Sequence, residues 1–278
     1  MCAHGRGSEH YPPVTIPNSE IRRVRSQIVE GMEYLIYVAL PEGYGLSAEN
    51  YPAVYLLDAW MSFGAFVEAY RIYRLFDLVP DLVLVGIAHA GSSLQDHLFY
   101  RARDYTPTEL PADEIERRYG PEIAALTPAS GGAPNFLRFI REELFPFMER
   151  EYRLDPADRA LFGYSFGGLF ALYTLFNLPQ LFRRYFIGSA PGWWDDYVVF
   201  QAEAQYAGEH TALPAKVFAS VGGKDSAFIP SWERLRDRLN QRNYAGLELM
   251  TVMFDGEDHL ECGPLAHMHA LRALYLPP

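Results

Sequence analysis

Gly163-Tyr164-Ser165-Phe166-Gly167-Gly168 separates two apolar runs of different kind. Ala160-Leu161-Phe162 before it is short enough for a buried strand. Residues 169–176 after it are apolar almost throughout and read as a helix. A serine between glycines at such a junction is the G-x-S-x-G nucleophile elbow. A strand that turns this sharply into a helix forces the serine into a strained backbone conformation. Side chains at the two glycine positions, Gly163 and Gly167, are expected to collide with the strand or the helix. The strain leaves the serine Oγ exposed at the top of a sheet, with a helix N-terminus behind it that favours developing negative charge.

The remaining chain supplies a sheet for that elbow. Residues 21–29 and 32–40 alternate around Glu30-Gly31, which predicts an antiparallel hairpin after an irregular lead-in, residues 1–19, broken by Pro12, Pro13 and Pro17. Ala53-Val54-Tyr55-Leu56-Leu57 is a strand buried on both faces, ending at Asp58. A helix over 62–78, a strand over 82–88 and a helix over 135–152 with Asn135 as its N-cap follow. Beyond the elbow come strands over 184–188, 216–221 and 247–254, and helices around 231–240 and 263–274. Strands alternating with helices imply right-handed crossovers and a mostly parallel, doubly wound sheet. No linker divides residues 20–278, so one domain is expected. The long connections 89–134 and 190–214 leave strand ends, where substrate contacts gather.

Composition narrows the partners. The net charge is −11 without a long basic run, which argues against nucleic acid and anionic membrane surfaces. Cys2 and Cys262 are the two cysteines; one lies in the lead-in, so a structural disulfide is not expected, and nothing suggests a zinc site. The first ten residues lack the apolar stretch of a secretory signal and no segment is apolar enough to span a bilayer, so a cytoplasmic protein is expected. Exposed aromatics are compatible with a homodimer, whose interface composition cannot locate.

A serine hydroxyl needs a base, and histidine titrates in the right range. Of eight histidines, His4 and His10 fall in the lead-in and His210 in a polar connection. His89 and His97 follow a strand and are placed to line a site, while His267 and His269 lie inside the last helix. His259 follows the last strand through Asp255-Gly256-Glu257-Asp258 and is expected on a loop before that helix. It is the candidate base. The acid that orients it falls between serine and histidine in the chain order of this elbow. Asp225 fits best, after Gly222-Gly223-Lys224; Asp195 and Asp196 are the runners-up, and Glu257 and Asp258 rank last as immediate neighbours. An oxyanion needs two main-chain donors, expected from Phe166 and from Trp60 or Ala59.

Several segments together resemble one family. Tyr55-Leu56-Leu57-Asp58-Ala59-Trp60, Arg101-Ala102-Arg103-Asp104-Tyr105-Thr106-Pro107, the stretch from Gly131 to Ile140, Gly163 to Leu169 and Glu257-Asp258-His259 resemble the esterase D-like branch of the α/β-hydrolases, nearest to siderophore trilactone esterases. The resemblance runs from about residue 24 to 275. It implies an α/β-hydrolase fold without a separate cap domain, and a serine carboxylic ester hydrolase that works through an acyl-enzyme with no metal or organic cofactor. Tyr164 stands where such proteins often carry histidine, and Ala59 where they carry glycine. Arg101, Tyr105, Tyr164, Trp193 and Trp194 are the expected substrate contacts. Two arginines beside aromatics suit a ferric catecholate, whereas a structural Arg101–Asp104 pair and a packed Trp193-Trp194 wall suit any moderately apolar small-molecule ester. An acyltransferase and a non-catalytic binding protein on the same scaffold are the alternatives of other classes.

Overall fold

The computed structural model describes residues 14–46 and 48–276. Most of the lead-in, with Cys2, His4 and His10, lies outside them. The described residues form one eight-stranded sheet in the order β1-β2-β4-β3-β5-β6-β7-β8, from β1 (Ser19–Arg25), β2 (Glu33–Ala39), β3 (Tyr51–Leu56), β4 (Val83–His89), β5 (Leu154–Tyr164), β6 (Arg184–Gly188), β7 (Ala212–Gly222) and β8 (Ala245–Phe254). β1 and β2 form the expected hairpin, pairing Arg25 with Glu33, so both strands stop short of Glu30-Gly31. β2 also pairs antiparallel with β4, and all further pairs are parallel.

Side-chain alternation divides the core. Val54, Leu56, Ala160, Phe162 and Phe186 face one way, against α1 (Ala59–Leu75) and α10 (His259–Tyr275), which supply Phe63, Phe66, Val67, Ala266 and Leu271. Ala53, Tyr55, Leu161, Tyr185 and Val217 face the other way, into a core with Phe136, Phe139, Leu169, Phe170 and Trp232. Covering both faces is what lets runs such as 53–56, 83–88 and 160–162 go unbroken by polar residues.

The connection 89–134 is not irregular. It folds as α2 (Leu94–Tyr105), α3 (Ala112–Tyr119) and α4 (Pro121–Leu126). Ser93 and Asp96 form a capping box at the start of α2. The expected helix over 135–152 begins earlier, at α5 (Ala133–Phe139), and Gly132 occupies its N-cap, so Asn135 lies inside the helix. It widens into a π turn over Ile140–Leu144 before α6 (Phe145–Glu151). Pro146 has no N–H for the carbonyl four residues back, which accounts for the widened turn. The two motifs of this region meet: Gly131 N–H donates to Thr106 Oγ1 (2.8 Å) and Gly132 N–H to the Arg103 carbonyl (2.8 Å). A Cβ on Gly131 would lie 2.5 Å from the Glu109 nitrogen, so only glycine permits this crossing.

α7 (Phe166–Asn177) follows the elbow, α8 (Trp194–Glu209) lies within 190–214, and α9 (Ile229–Arg242) follows β7. α8 begins unusually. Asp195, Asp196 and Tyr197 have φ of 43°, 50° and 64°, a left-handed turn ahead of the right-handed helix. Such a turn costs about 1–2 kcal/mol per non-glycine residue. It is held by the Tyr119 hydroxyl, which accepts from Asp195 N–H (2.8 Å), and by Arg118, which pairs with Asp195 (3.5 Å) and Asp196 (3.1 Å). Among the described residues no helix is long and apolar enough to cross a membrane.

Candidate active site

Ser165 sits between β5 and α7 at φ 58°, ψ −125°, a conformation that L-residues rarely adopt. Its N–H donates to the Gly188 carbonyl (2.9 Å) and its carbonyl accepts from Leu169 N–H (3.0 Å). A Cβ on Gly163 would lie 2.0 Å from the Gly167 carbonyl oxygen, and one on Gly168 would lie 2.5 Å from that of Gly188. A Cβ on Gly167 would make ordinary contacts, 3.4 Å from Asp58 Oδ2 and 3.5 Å from Leu57 Cβ. Gly163 and Gly168 are therefore the obligatory glycines. The expectation for Gly167 is corrected, because what a side chain there would meet first, Asp58 and Leu57, stands at ordinary contact distance.

Asp225 and His259 are brought together by main-chain bonds between the turns after β7 and β8. Gly223 N–H donates to the Phe254 carbonyl (2.9 Å) and Lys224 N–H to that of Glu257 (3.0 Å). A Cβ on Gly222 would lie 2.7 Å from the Glu257 carbonyl oxygen, so the turns touch backbone to backbone. The result is a 2.7 Å hydrogen bond between His259 Nδ1 and Asp225 Oδ2, with the carboxylate buried and the imidazole partly exposed. His259 is not on a loop. It opens α10, whose N-cap Asp258 accepts from Leu260 and Glu261 N–H. α10 therefore starts ahead of the expected residue 263 and carries Pro264 within its first turns.

The runner-up acids are used elsewhere: Asp195 and Asp196 face Arg118. Asp258 caps α10. His89 lies in β4, fully buried, with Nε2 3.1 Å from Asp104 Oδ2. Burial works against charge on Asp104, but bonds from His89 and Arg103 hold its carboxyl below the usual range. His97 stacks flat on the Trp60 indole (4.4 Å between ring centroids), and burial lowers its pKa. His267 is buried, with Nδ1 2.8 Å from the Gly263 carbonyl.

The expected substrate contacts divide. Arg101 is buried and makes two 2.8 Å bonds to Asp58, so the structural pair is Arg101–Asp58 and not Arg101–Asp104. The guanidinium also lies 5.4 Å over the Phe166 ring. Tyr105 is fully buried, its hydroxyl accepting from Asp58 N–H (3.2 Å). Trp194 is fully buried and donates to Thr108 Oγ1 (3.0 Å). These three side chains build the site and do not line it. Trp193 is partly exposed, in an aromatic wall with Tyr119 (4.7 Å) and Phe228 (6.2 Å). Phe228 escaped the sequence reading although it shares a turn with Asp225: its N–H donates to the Asp225 carbonyl (2.9 Å) and its ring stacks on His259 (4.4 Å, 26°). Trp60 contributes main chain in the first turn of α1, where N–H groups precede any intrahelical partner. Among the described residues no group of three or more His, Cys, Asp or Glu is arranged to hold a metal ion.

The sequence profile described as "Putative esterase" matches residues 26–256. The chain belongs to that esterase family. It is 31% identical over 268 residues to the ferri-bacillibactin esterase BesA of Bacillus subtilis, covering 93% of this chain and 90% of that one. It is 34% identical to a siderophore enterobactin esterase of Emericella nidulans, over 59% of this chain and 55% of the relative. Among solved structures, the BES protein from Bacillus cereus superposes with a TM-score of 0.83 at 28% identity, covering 96% of this chain and 100% of that one. The fold is that of the α/β-hydrolase-like esterases, and the chain is a carboxylic ester hydrolase.

Proposed function

We propose that the esterase works through an acyl-enzyme on Ser165, with His259 as base and then acid and Asp225 as the carboxylate that orients it. The observation that carries this reading is the 2.7 Å Asp225–His259 bond, together with a serine at φ 58° that directly follows Tyr164, whose ring lies 5.2 Å from that of His259. With Nδ1 engaged by Asp225, Nε2 is the nitrogen left to take the Ser165 proton as Oγ attacks the ester carbonyl carbon. The N–H groups of Phe166 and of Trp60 or Ala59 then stabilise the oxyanion. Collapse of the tetrahedral species expels the alcohol, which leaves with the proton from His259; water repeats the sequence in reverse and frees the acid. Ser165→Ala should abolish p-nitrophenyl ester hydrolysis with the fold intact. Asp225→Asn should lower kcat by about 10⁴, because the wrong imidazole tautomer is held. A mild effect at Asp225 with a severe one at Asp195 or Asp196 would move the acid role.

A second reading concerns the substrate. The relatives named for ferri-bacillibactin and enterobactin, together with the wall of Tyr119, Trp193 and Phe228, favour a catecholate trilactone as the ester. Arg101 does not support it, since its charge is already matched by Asp58.

A further inference from the structure

The residue before the nucleophile is bonded to the backbone of the residue that carries the imidazole. The Tyr164 hydroxyl donates to the His259 carbonyl (2.8 Å) and, having one proton, accepts from Ser189 Oγ (3.1 Å). Its ring lies 5.2 Å from the His259 ring, tilted by 44°. One glycine makes room for it: a Cβ on Gly188 would lie 2.4 Å from Tyr164 Cδ2. Ser189 is fully buried at φ 36°, and its N–H donates to the Ser220 carbonyl (2.8 Å). The end of β5, the end of β6 and the start of α10 thus meet at one phenol oxygen. Burial raises the Tyr164 pKa far above its ordinary value, so the group remains a neutral donor throughout the working range of an imidazole.

The bond matters because neither partner is far from the reacting atoms. Ser165 is fixed by its own main-chain bonds to Gly188 and Leu169. His259 opens a helix whose first turns contain Pro264, which offers no N–H to the Leu260 carbonyl. The Asp225 bond sets the rotation of the imidazole, but it acts on the side chain and leaves the height of the backbone above the elbow to another contact. We infer that Tyr164 is a positioning residue whose hydroxyl sets the His259 main chain relative to Ser165, so that Nε2 and Oγ meet in reacting geometry. This rests on the acyl-enzyme reading of Ser165 and His259.

The test compares Tyr164→Phe, a variant carrying 4-aminophenylalanine at position 164, and Ser165→Ala, all with p-nitrophenyl acetate. The phenylalanine variant keeps the ring and loses the donor. Its kcat should fall about tenfold to a hundredfold, as misplacement of reacting groups by a fraction of an ångström to an ångström does, with KM little changed. The low-field proton resonance of the Asp225–His259 bond should broaden in the same variant. The amino variant restores a donor at the same place and should recover most of both. A phenylalanine variant with wild-type kcat, while Ser165→Ala is inactive, would overturn the inference and leave the acyl-enzyme reading standing. Loss of kcat that the amino variant does not recover, with the low-field resonance unchanged, would overturn it as well by assigning Tyr164 a packing role. Activity retained by Ser165→Ala would instead remove the acyl-enzyme reading on which the inference stands.

Discussion

Asp58 has φ 51° and ψ 35°, left-handed values that aspartate tolerates better than most residues, and it directly precedes the proposed oxyanion donors. Its conformation is held from both ends of one α2 segment: Arg101 grips the carboxylate and the Tyr105 hydroxyl receives the N–H. Burial opposes charge on Arg101, yet the Asp58 carboxylate raises its pKa overall, so the guanidinium keeps its charge. Arg101→Met should leave a buried carboxylate unpaired and cost about 3–5 kcal/mol in denaturant unfolding, part of it regained when Asp58→Asn is added. For a small ester kcat should fall while KM stays constant. A raised KM with unchanged kcat would mean that Arg101 binds substrate. Sequence alone could propose the arginine but not its partner, since side-chain pairing between residues 58 and 101 depends on where α2 lies.

At the scale of elements, the strands were legible because burial on both faces leaves unbroken apolar runs, as in Val54 to Leu57 and 82–88. The short helices α3 and α4 were not, because each buries few side chains: Ile115 in α3 and none in α4. The left-handed turn at Asp195–Tyr197 escaped for a different reason, since it depends on Arg118 and Tyr119 from α3. For the site, Ser165, Asp225 and His259 could be picked out by their positions after strands. Phe228 and Ser189 could not, because aromatic stacking and a hydroxyl contact leave no spacing pattern. α10 also carries a pH signature. His267, ringed by Phe66, Tyr164 and Phe186, has its pKa lowered from 6.5, with burial as the main cause. The unfolded chain therefore binds this proton more readily than the folded one. The contribution is fully present above about pH 6.5 and is lost as pH falls from there toward the lowered folded value. The melting temperature should decline on acidification over that window, and less so in His267→Gln. Equal slopes in both proteins would contradict the assignment.

The whole molecule brings four strand ends, those of β3, β5, β7 and β8, to one edge of the sheet, and the proposed chemistry draws one part from each. Its charge of −11 is poorly suited to attract a trianionic ferric catecholate, while its aromatic wall suits the rings of such a ligand. The two tendencies are separated by comparing p-nitrophenyl butyrate with iron-loaded and iron-free catecholate trilactones at several salt concentrations. The siderophore reading predicts a higher kcat/KM for a trilactone than for the simple ester, and a trilactone rate no higher would reject it. The central claim is more basic than the choice of ester, and it concerns one covalent bond. Mixing the enzyme with a slowly deacylating p-nitrophenyl ester, quenching in acid and locating the added mass by peptide mass spectrometry tests it directly. The account predicts a burst of about one p-nitrophenol per active site, as acyl-enzyme accumulation requires, with the acyl group on Ser165. Acyl mass on another residue, or full turnover by Ser165→Ala, would contradict it.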